Sequence, residues 1–346
     1  MLNDVMSSLG INRWRCLVVI GGSLLLAAVV CWGLARVDLS PSDVVETMVG
    51  GAKAVYQTVF PHELRRHIWL WKEQAAWRQS IWLAPYTILL IAGILILERL
   101  MPVKREQRTF SSGFFQDLIW FSAGDILRLT WVPIYVGWLH GLYVRHLSAL
   151  TIQEIEVWPM VARLTFSIVV FDFLQWFHHW VRHKVTLFWY FHTIHHSQRQ
   201  MNLFTDGRTH PVETIVSQAV IFLPMFMLQL NPYAVAWIAL ASSWYQRLYH
   251  ANIRTNFGVL KSFLVTPQSH RIHHSIEAQH RDKNFGVLFT VWDRMLGTLY
   301  HSYDEYPETG VEDEEFPLEQ GVRGVRLATN YVAQWFYPFR LALRGA

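Results

Sequence analysis

From Val161 to Phe177 the chain is almost wholly apolar, and without a break it enters "HHWVRH", which places His178, His179 and His183 within six residues. No other feature restricts the fold as strongly. A run of this length reaches the lower limit for crossing a hydrocarbon core. Imidazoles, in turn, are good metal ligands and poor core residues. A chain that folds around this stretch must bury or immerse a long apolar helix and gather ligand-type side chains at one end of it.

Other apolar runs repeat the first half of that pattern. Cys16–Ala35 follows Arg13 and Arg15. Gly33-Leu34-Ala35 could pass for a cleavage site, but the run is longer than the usual apolar stretch of a signal peptide, so it reads as an uncleaved anchor. A second span is expected from Ser80 to Leu100, with Arg99, Lys104, Arg105 and Arg108 at its end. A third runs from Asp117 to Leu142 and contains Asp125 and Arg128, three apart on one helical face and able to pair. Thr214 to Tyr249 is interrupted by Asn231-Pro232, which predicts a turn between two short helices. The expected fold is an all-α integral membrane protein of about six segments, the last two a hairpin, with a cytosolic helical cap.

With the N-terminus inside, residues 101–116, 182–213 and 250–346 fall in the cytosol, where many of the Lys and Arg residues lie. Arg65, Arg66, Lys72 and Arg78 fit an interfacial helix on the other side. Composition agrees: charged residues make up 16% of the chain, against about 25% in soluble domains. The 17 Trp suit a membrane–water boundary. The two cysteines, Cys16 and Cys31, supply neither a disulfide framework nor a CxxC site. Residues 304–319 hold eight acidic side chains; they read as a solvated loop, with a docking site for a basic redox partner as the sharper alternative. The chain divides into an N-terminal extension (1–79), a core with the histidine motifs (80–303) and an acidic loop with a C-terminal tail (304–346).

The histidines form a system. His179 and His183 are four apart and share a helical face with Asp172, which could orient a ligand, whereas His178 points about 100° away. His192, His195 and His196 in "FHTIHHS", and His270, His273 and His274 in "TPQSHRIHHS", repeat one HxxHH spacing, whose members converge on one side of a helical turn. Eight imidazoles exceed the need of one four-coordinate zinc and suit a two-metal centre. His250 in "YHANIR" closes the hairpin and is expected as a ninth ligand. His210 in "RTHPVE" is a candidate ligand, supporting group or structural histidine. His62, His67, His140, His146, His280 and His301 read as ordinary exposed or interfacial histidines.

The order HxxxH, HxxHH, HxxHH resembles the fatty acid hydroxylase / sterol desaturase superfamily of integral-membrane di-iron enzymes. The likeness covers residues 85–300 and rests on "DFLQWFHHWVRH", "LFWYFHTIHHS", "RTHPVE", "YHANIR", "TPQSHRIHHS" and "DKNFGVLFTVWDRMLGTLY". In flavour it is similar to bacterial members and the alkylglycerol monooxygenase branch. There are two departures. Trp180 stands where relatives carry Arg, with Arg182 a candidate substitute, and Gln246 stands where some carry a further histidine.

The resemblance implies two iron ions held by His179, His183, His192, His195, His196, His250, His270, His273 and His274, with Asp172, His210 and Asn284 in support. Zinc is able to replace iron in such a site on overexpression. It also implies O2 as co-substrate, electrons from a separate reductase, ferredoxin or cytochrome, a lipid substrate from the bilayer and no nucleic-acid partner. Arg271 is expected to project away from the ligands, and Asp282 and Asn284 to brace their segment. The ligand set is compatible with both hydroxylation and desaturation, and the frequency of each within the resembled family favours hydroxylation. The competing class, a zinc or iron transporter, would place its ligands near the bilayer midplane, and these clusters lie at span ends. The expected location is a bacterial inner membrane with a cytosolic active site, or the endoplasmic reticulum in a eukaryote.

Overall fold

The computed structural model describes residues 85–230 and 232–345. The expected anchor at 16–35, the start of the second span, and His62 and His67 lie outside the described residues. Ten α-helices among the described residues form the frame: α1 Pro85–Leu100, α2 Ser112–Thr130, α3 Val132–His146, α4 Met160–Lys184, α5 Thr186–His196, α6 Pro211–Met227, α7 Pro232–His250, α8 Pro267–His273, α9 Val291–Met295 and α10 Val325–Gly345. Among the described residues β-structure is limited to three isolated bridges, including Leu264 with Phe289 and Ser275 with Thr309.

Among the described residues one helix, α4, is long and apolar enough to cross a membrane. Its 25 residues extend about 37 Å and carry the apolar run straight into the histidines. The expected third span is instead two helices, α2 and α3, separated at Trp131. Pro133 lies in the first turn of α3, where the missing N–H costs nothing and the fixed φ favours a new start. Two helices, α6 and α7, stand on either side of the expected turn; α6 packs on α3 and α7 on α8.

Packing places the frame around the motifs. α3 lies on α6, α4 on α5, and α7 on α8, while α10 covers α2 and α5. One apolar core joins Ile94, Phe114, Leu203, Trp244 and Leu248, and another joins Trp120, Ile194, Phe316 and Tyr337. Between them sits a fully buried ionic knot. Arg208 donates to Asp117 at 2.8 Å and Glu319 at 3.1 Å, and its Nε donates to the carbonyl of Ile194. Asp117 also accepts from Gln198, Asn202 and Thr205. The knot therefore ties α2, the end of α5 and the C-terminal segment together.

The acidic stretch faces solvent at Glu308, Glu312 and Glu315, each more than half exposed, yet it is tied down by ion pairs. Glu308 pairs with Lys104, Glu312 with Arg281, and Glu315 with both Arg340 and Arg344. Tyr337 donates to Asp313. α10 returns over the core and presents Arg340 and Arg344 to Glu315, whereas Lys104 and Arg281 meet Glu308 and Glu312 from other segments.

Candidate metal centre

α4 supplies His179 and His183 one turn apart, and α5, which follows after Val185, supplies His192, His195 and His196. His250 is the last residue of α7. α8 begins with a capping box, Thr266 and Ser269 each accepting from the other's N–H, and has Pro267 in its first turn. It carries His270 and His273, with His274 at its C-cap. These local signals fix a helix of seven residues, too short to persist alone.

The nine side chains form two groups. His179, His183, His192, His196 and His273 make one; His195, His250, His270 and His274 make the other. Within each group the ligand-type nitrogens lie within 4.8 Å of one another. All nine residues are buried except His183, which is slightly exposed.

The ring contacts test whether a metal fits. The Nε2 atoms of His183 and His196 are 3.1 Å apart, those of His195 and His250 3.2 Å, those of His250 and His270 2.8 Å, and those of His270 and His274 3.0 Å. Two nitrogens held by one ion at bond lengths of about 2.0–2.1 Å and a right angle stand about 3 Å apart. Three rings are also arranged for that role on their far side. His179 Nδ1 faces the carbonyl of Phe285, His273 Nδ1 that of Lys283, and His250 Nδ1 that of Gln246. A donor Nδ1–H directs the Nε2 lone pair inward. The Nε2 atoms of His179, His192 and His273 are buried with no hydrogen-bond partner, a cost that a bound cation would remove.

Burial, followed by the neighbouring imidazoles, drives the basicity of His192, His195, His196, His270 and His274 well below the ordinary histidine value. Burial lowers His273 to about 4, against the opposing pull of the Lys283 carbonyl and Asp282. All six are therefore neutral at physiological pH, which is the state a ligand needs.

The candidates for support divide. Asp172 is fully buried but does not touch a histidine: it accepts from the backbone N–H groups of Leu288 and Phe289 and from the Trp292 indole. It thus anchors the loop whose Phe285 carbonyl meets His179. Asn284 donates to the Ser269 carbonyl and accepts from Tyr300 N–H, bracing α8. Asp282 pairs with Lys184 and lies 3.9 Å from His183 Nδ1. Both Asp282 and Asn284 have left-handed backbone, which short polar side chains tolerate. His210 makes no bond to the nine. Its Nδ1 accepts from Val212 N–H as the N-cap of α6, and its ring packs among Phe191, Trp335 and Phe339.

Two residues near the motifs had no assigned role or the wrong environment in the sequence. Glu213, in the first turn of α6, accepts from His192 Nδ1 at 3.0 Å and pairs with Arg182 at 2.6 Å. Arg182 also donates to His178 and Ser217, which explains why His178 stays out of the cluster. His280, read as exposed, is buried against Tyr300 and bonds Ser275 and Glu305. Arg271 turns away from the ligands as expected, donating to the Pro307 carbonyl; burial lowers it to about 10.

Residues 164–298 match the family model described as fatty acid hydroxylase. The chain is 26% identical over 266 residues to an ornithine lipid hydroxylase, OlsE, of Rhizobium tropici, covering 75% of this chain and 76% of that one. It is 32% identical over 128 residues to the alkylglycerol monooxygenase of Homo sapiens, covering 37% of this chain and 28% of that one. It is 26% identical over 150 residues to the Delta(7)-sterol 5(6)-desaturase ERG3A of Gibberella zeae, covering 43% of this chain and 39% of that one. No solved structure matches.

Proposed function

We propose that the chain, whose residues 164–298 match the fatty acid hydroxylase family model and which is similar to an ornithine lipid hydroxylase and a sterol desaturase, is a membrane-bound di-iron oxidoreductase that hydroxylates an unactivated C–H bond of a lipid. The observation that carries this reading is the pair of buried histidine groups, five imidazoles in one and four in the other. The relatives named as lipid-modifying enzymes support the substrate class. The wide coverage of the ornithine lipid hydroxylase favours a bacterial lipid with a polar headgroup. One relative is a desaturase, and the same donor set serves that outcome.

His179, His183, His192, His196 and His273 would hold one ion, and His195, His250, His270 and His274 the other. Bound iron would supply the redox and O2 chemistry that no side chain can perform. The protein's own part is positioning. Backbone carbonyls orient His179, His250 and His273, and Glu213 orients His192, while Asp172 and Asn284 hold neighbouring segments. Burial keeps water away and keeps the imidazoles neutral. Arg182 balances the Glu213 carboxylate, so that His192 meets a paired charge.

Electrons would come from a separate reductase, ferredoxin or cytochrome. The proposed setting is a bilayer, with α4 as a span and the histidine end of α4 on the cytosolic side of a bacterial inner membrane. The test compares lipid mass spectra and iron content of cells and protein carrying the wild type or His273→Ala. A lipid that gains one oxygen only with the wild type is the expected result. Loss of two hydrogens would make the enzyme a desaturase. A protein that binds no iron pair and alters no lipid would overturn the proposal.

A further inference from the structure

Two short segments of the cap expose apolar side chains toward the same side. They are the turn Gly258–Ser262 with Phe263, and α9 with Leu296. Val259, Leu260, Phe263, Val291, Met295 and Leu296 are all exposed, Val259 at 85%, Met295 at 70% and Phe263 at 69%. The segments are tied together. Thr290 N–H donates to the Phe263 carbonyl, and the Thr290 hydroxyl and Arg294 donate to the Ser262 carbonyl. Such a contiguous apolar surface needs an occupant.

Its position along α4 selects one. The Trp292 ring lies 5.0 Å from that of Phe173 and donates to Asp172. Phe173 precedes Trp180 by seven residues and Lys184 by eleven, about 10 and 16 Å along the helix axis. The patch is therefore level with the foot of the aromatic ladder Phe173–Phe177–Trp180 and below the basic turn that ends α4. Phe173 and Phe177 are themselves part-exposed, so the apolar surface continues from the helix onto the cap.

The charge has one sign. Residues 256–263 contain no acid, and the single acid of 288–296, Asp293, is buried. It accepts from Phe285 and Gly286 N–H, the Trp176 indole and Thr298. Gly286 permits this closure, since a Cβ there would lie 2.9 Å from the Asp293 carboxylate and 2.8 Å from the Phe289 carbonyl. Lys261, part-exposed over the Tyr303 ring, and the exposed Arg294, which bonds the Ser262 carbonyl, lie beside the apolar side chains, as on an interfacial surface that meets anionic lipid.

We propose that residues 258–263 and 291–296 form a membrane-insertion surface, entering the headgroup–acyl boundary of the leaflet next to α4, with Lys261 and Arg294 at the anionic headgroups. This rests on the reading of α4 as a membrane span. It gives the cap a fixed depth, with the histidine groups held just above the acyl boundary.

The experiment uses the full chain with Cys16→Ser and Cys31→Ser, reconstituted in mixed phosphatidylcholine–phosphatidylglycerol vesicles. Phe263→Cys, Met295→Cys, Val169→Cys on α4 and Glu314→Cys on the exposed acidic stretch each carry an environment-sensitive fluorophore. Quenching by a spin label high on the lipid acyl chain is compared with quenching by aqueous iodide. At positions 263 and 295 lipid quenching should exceed iodide quenching several-fold, with the reverse at 314. Iodide-dominated quenching at both 263 and 295 while 169 reports lipid would overturn the inference and leave α4 as a span. Iodide-dominated quenching at 169 as well would overturn the membrane reading and this inference with it.

Discussion

Glu213→Gln isolates what the protein contributes to its metal centre without removing a ligand. Glu213 meets His192 Nδ1 at 3.0 Å and Arg182 at 2.6 Å, and the carboxylate and imidazole side chains are 4% and 1% exposed. The amide preserves volume and one acceptor, so the fold and the ring position should survive. The negative charge is lost, however, and Arg182 then faces His192 without its counter-charge. Removing a carboxylate behind a ligating imidazole typically lowers metal affinity 10–100-fold, about 1.4–2.7 kcal/mol. The site containing His192 should take the loss, while the four-histidine site, which has no bond to Glu213, keeps its affinity. Chelator competition on purified protein, read as metal ions per chain, should show one ion leaving earlier than in the wild type and the other unchanged. Glu314→Gln, on an exposed residue, serves as the control. Unaltered release of both ions from Glu213→Gln, with Arg182 still charged, would refute the argument that this carboxylate tunes His192.

Three further outcomes follow from the geometry. His250→Ala removes one of four imidazoles from its group and opens the 2.8 Å contact to His270; metal analysis after desalting should show about one ion per chain lost, the five-histidine site remaining loaded. Arg208→Met leaves Asp117 and Glu319 buried without their cation; thermal unfolding in detergent should show a loss of about 3–5 kcal/mol, and an unchanged midpoint would count against the knot. In metal-free protein His273 binds its proton near pH 4 when folded and near 6.5 when unfolded. Its stability contribution should therefore be complete above about pH 6.5 and fall as pH drops toward 4, by about 3 kcal/mol for this group; a midpoint that rises or stays flat across that window would contradict it.

The sequence exposed the histidine motifs because helical spacing is local: residues four apart share a face in any α-helix. It also exposed the division between α6 and α7, since Asn231-Pro232 favours a turn. Glu213 was hidden for the opposite reason. It lies 21 residues from His192, and only the packing of α6 against α4 and α5 brings them together. The motif "RTHPVE" did signal the place, but its histidine caps and packs while its glutamate reaches the site. The ion pairs of the exposed acidic stretch were hidden for the same reason, because its partners Lys104, Arg281, Arg340 and Arg344 are remote in sequence. His280 looked exposed because its neighbours Gln279 and Arg281 are polar, whereas Tyr300 and Glu305 enclose it.

The two HxxHH motifs also do something that a single-face reading did not anticipate. In α5 the pair four apart, His192 and His196, enters the five-histidine group and His195 enters the other. In α8 the assignment is exchanged: His270 and His274 enter the four-histidine group and His273 crosses to the first. The physical reason is the 100° step between neighbours on a helix. It lets positions i and i+4 share one centre while i+3 reaches another. Each short helix consequently bridges both groups, so neither site can shift without dragging ligands of its partner. α4 completes the first group with its own pair four apart, His179 and His183. α7 would complete the second in the same way, but it offers His250 alone: Gln246, four residues earlier, bonds Ser242 through its side chain and lends its backbone carbonyl to His250. The difference between five and four imidazoles thus arises at one position, and the less crowded ion would be the one with more room for a further ligand.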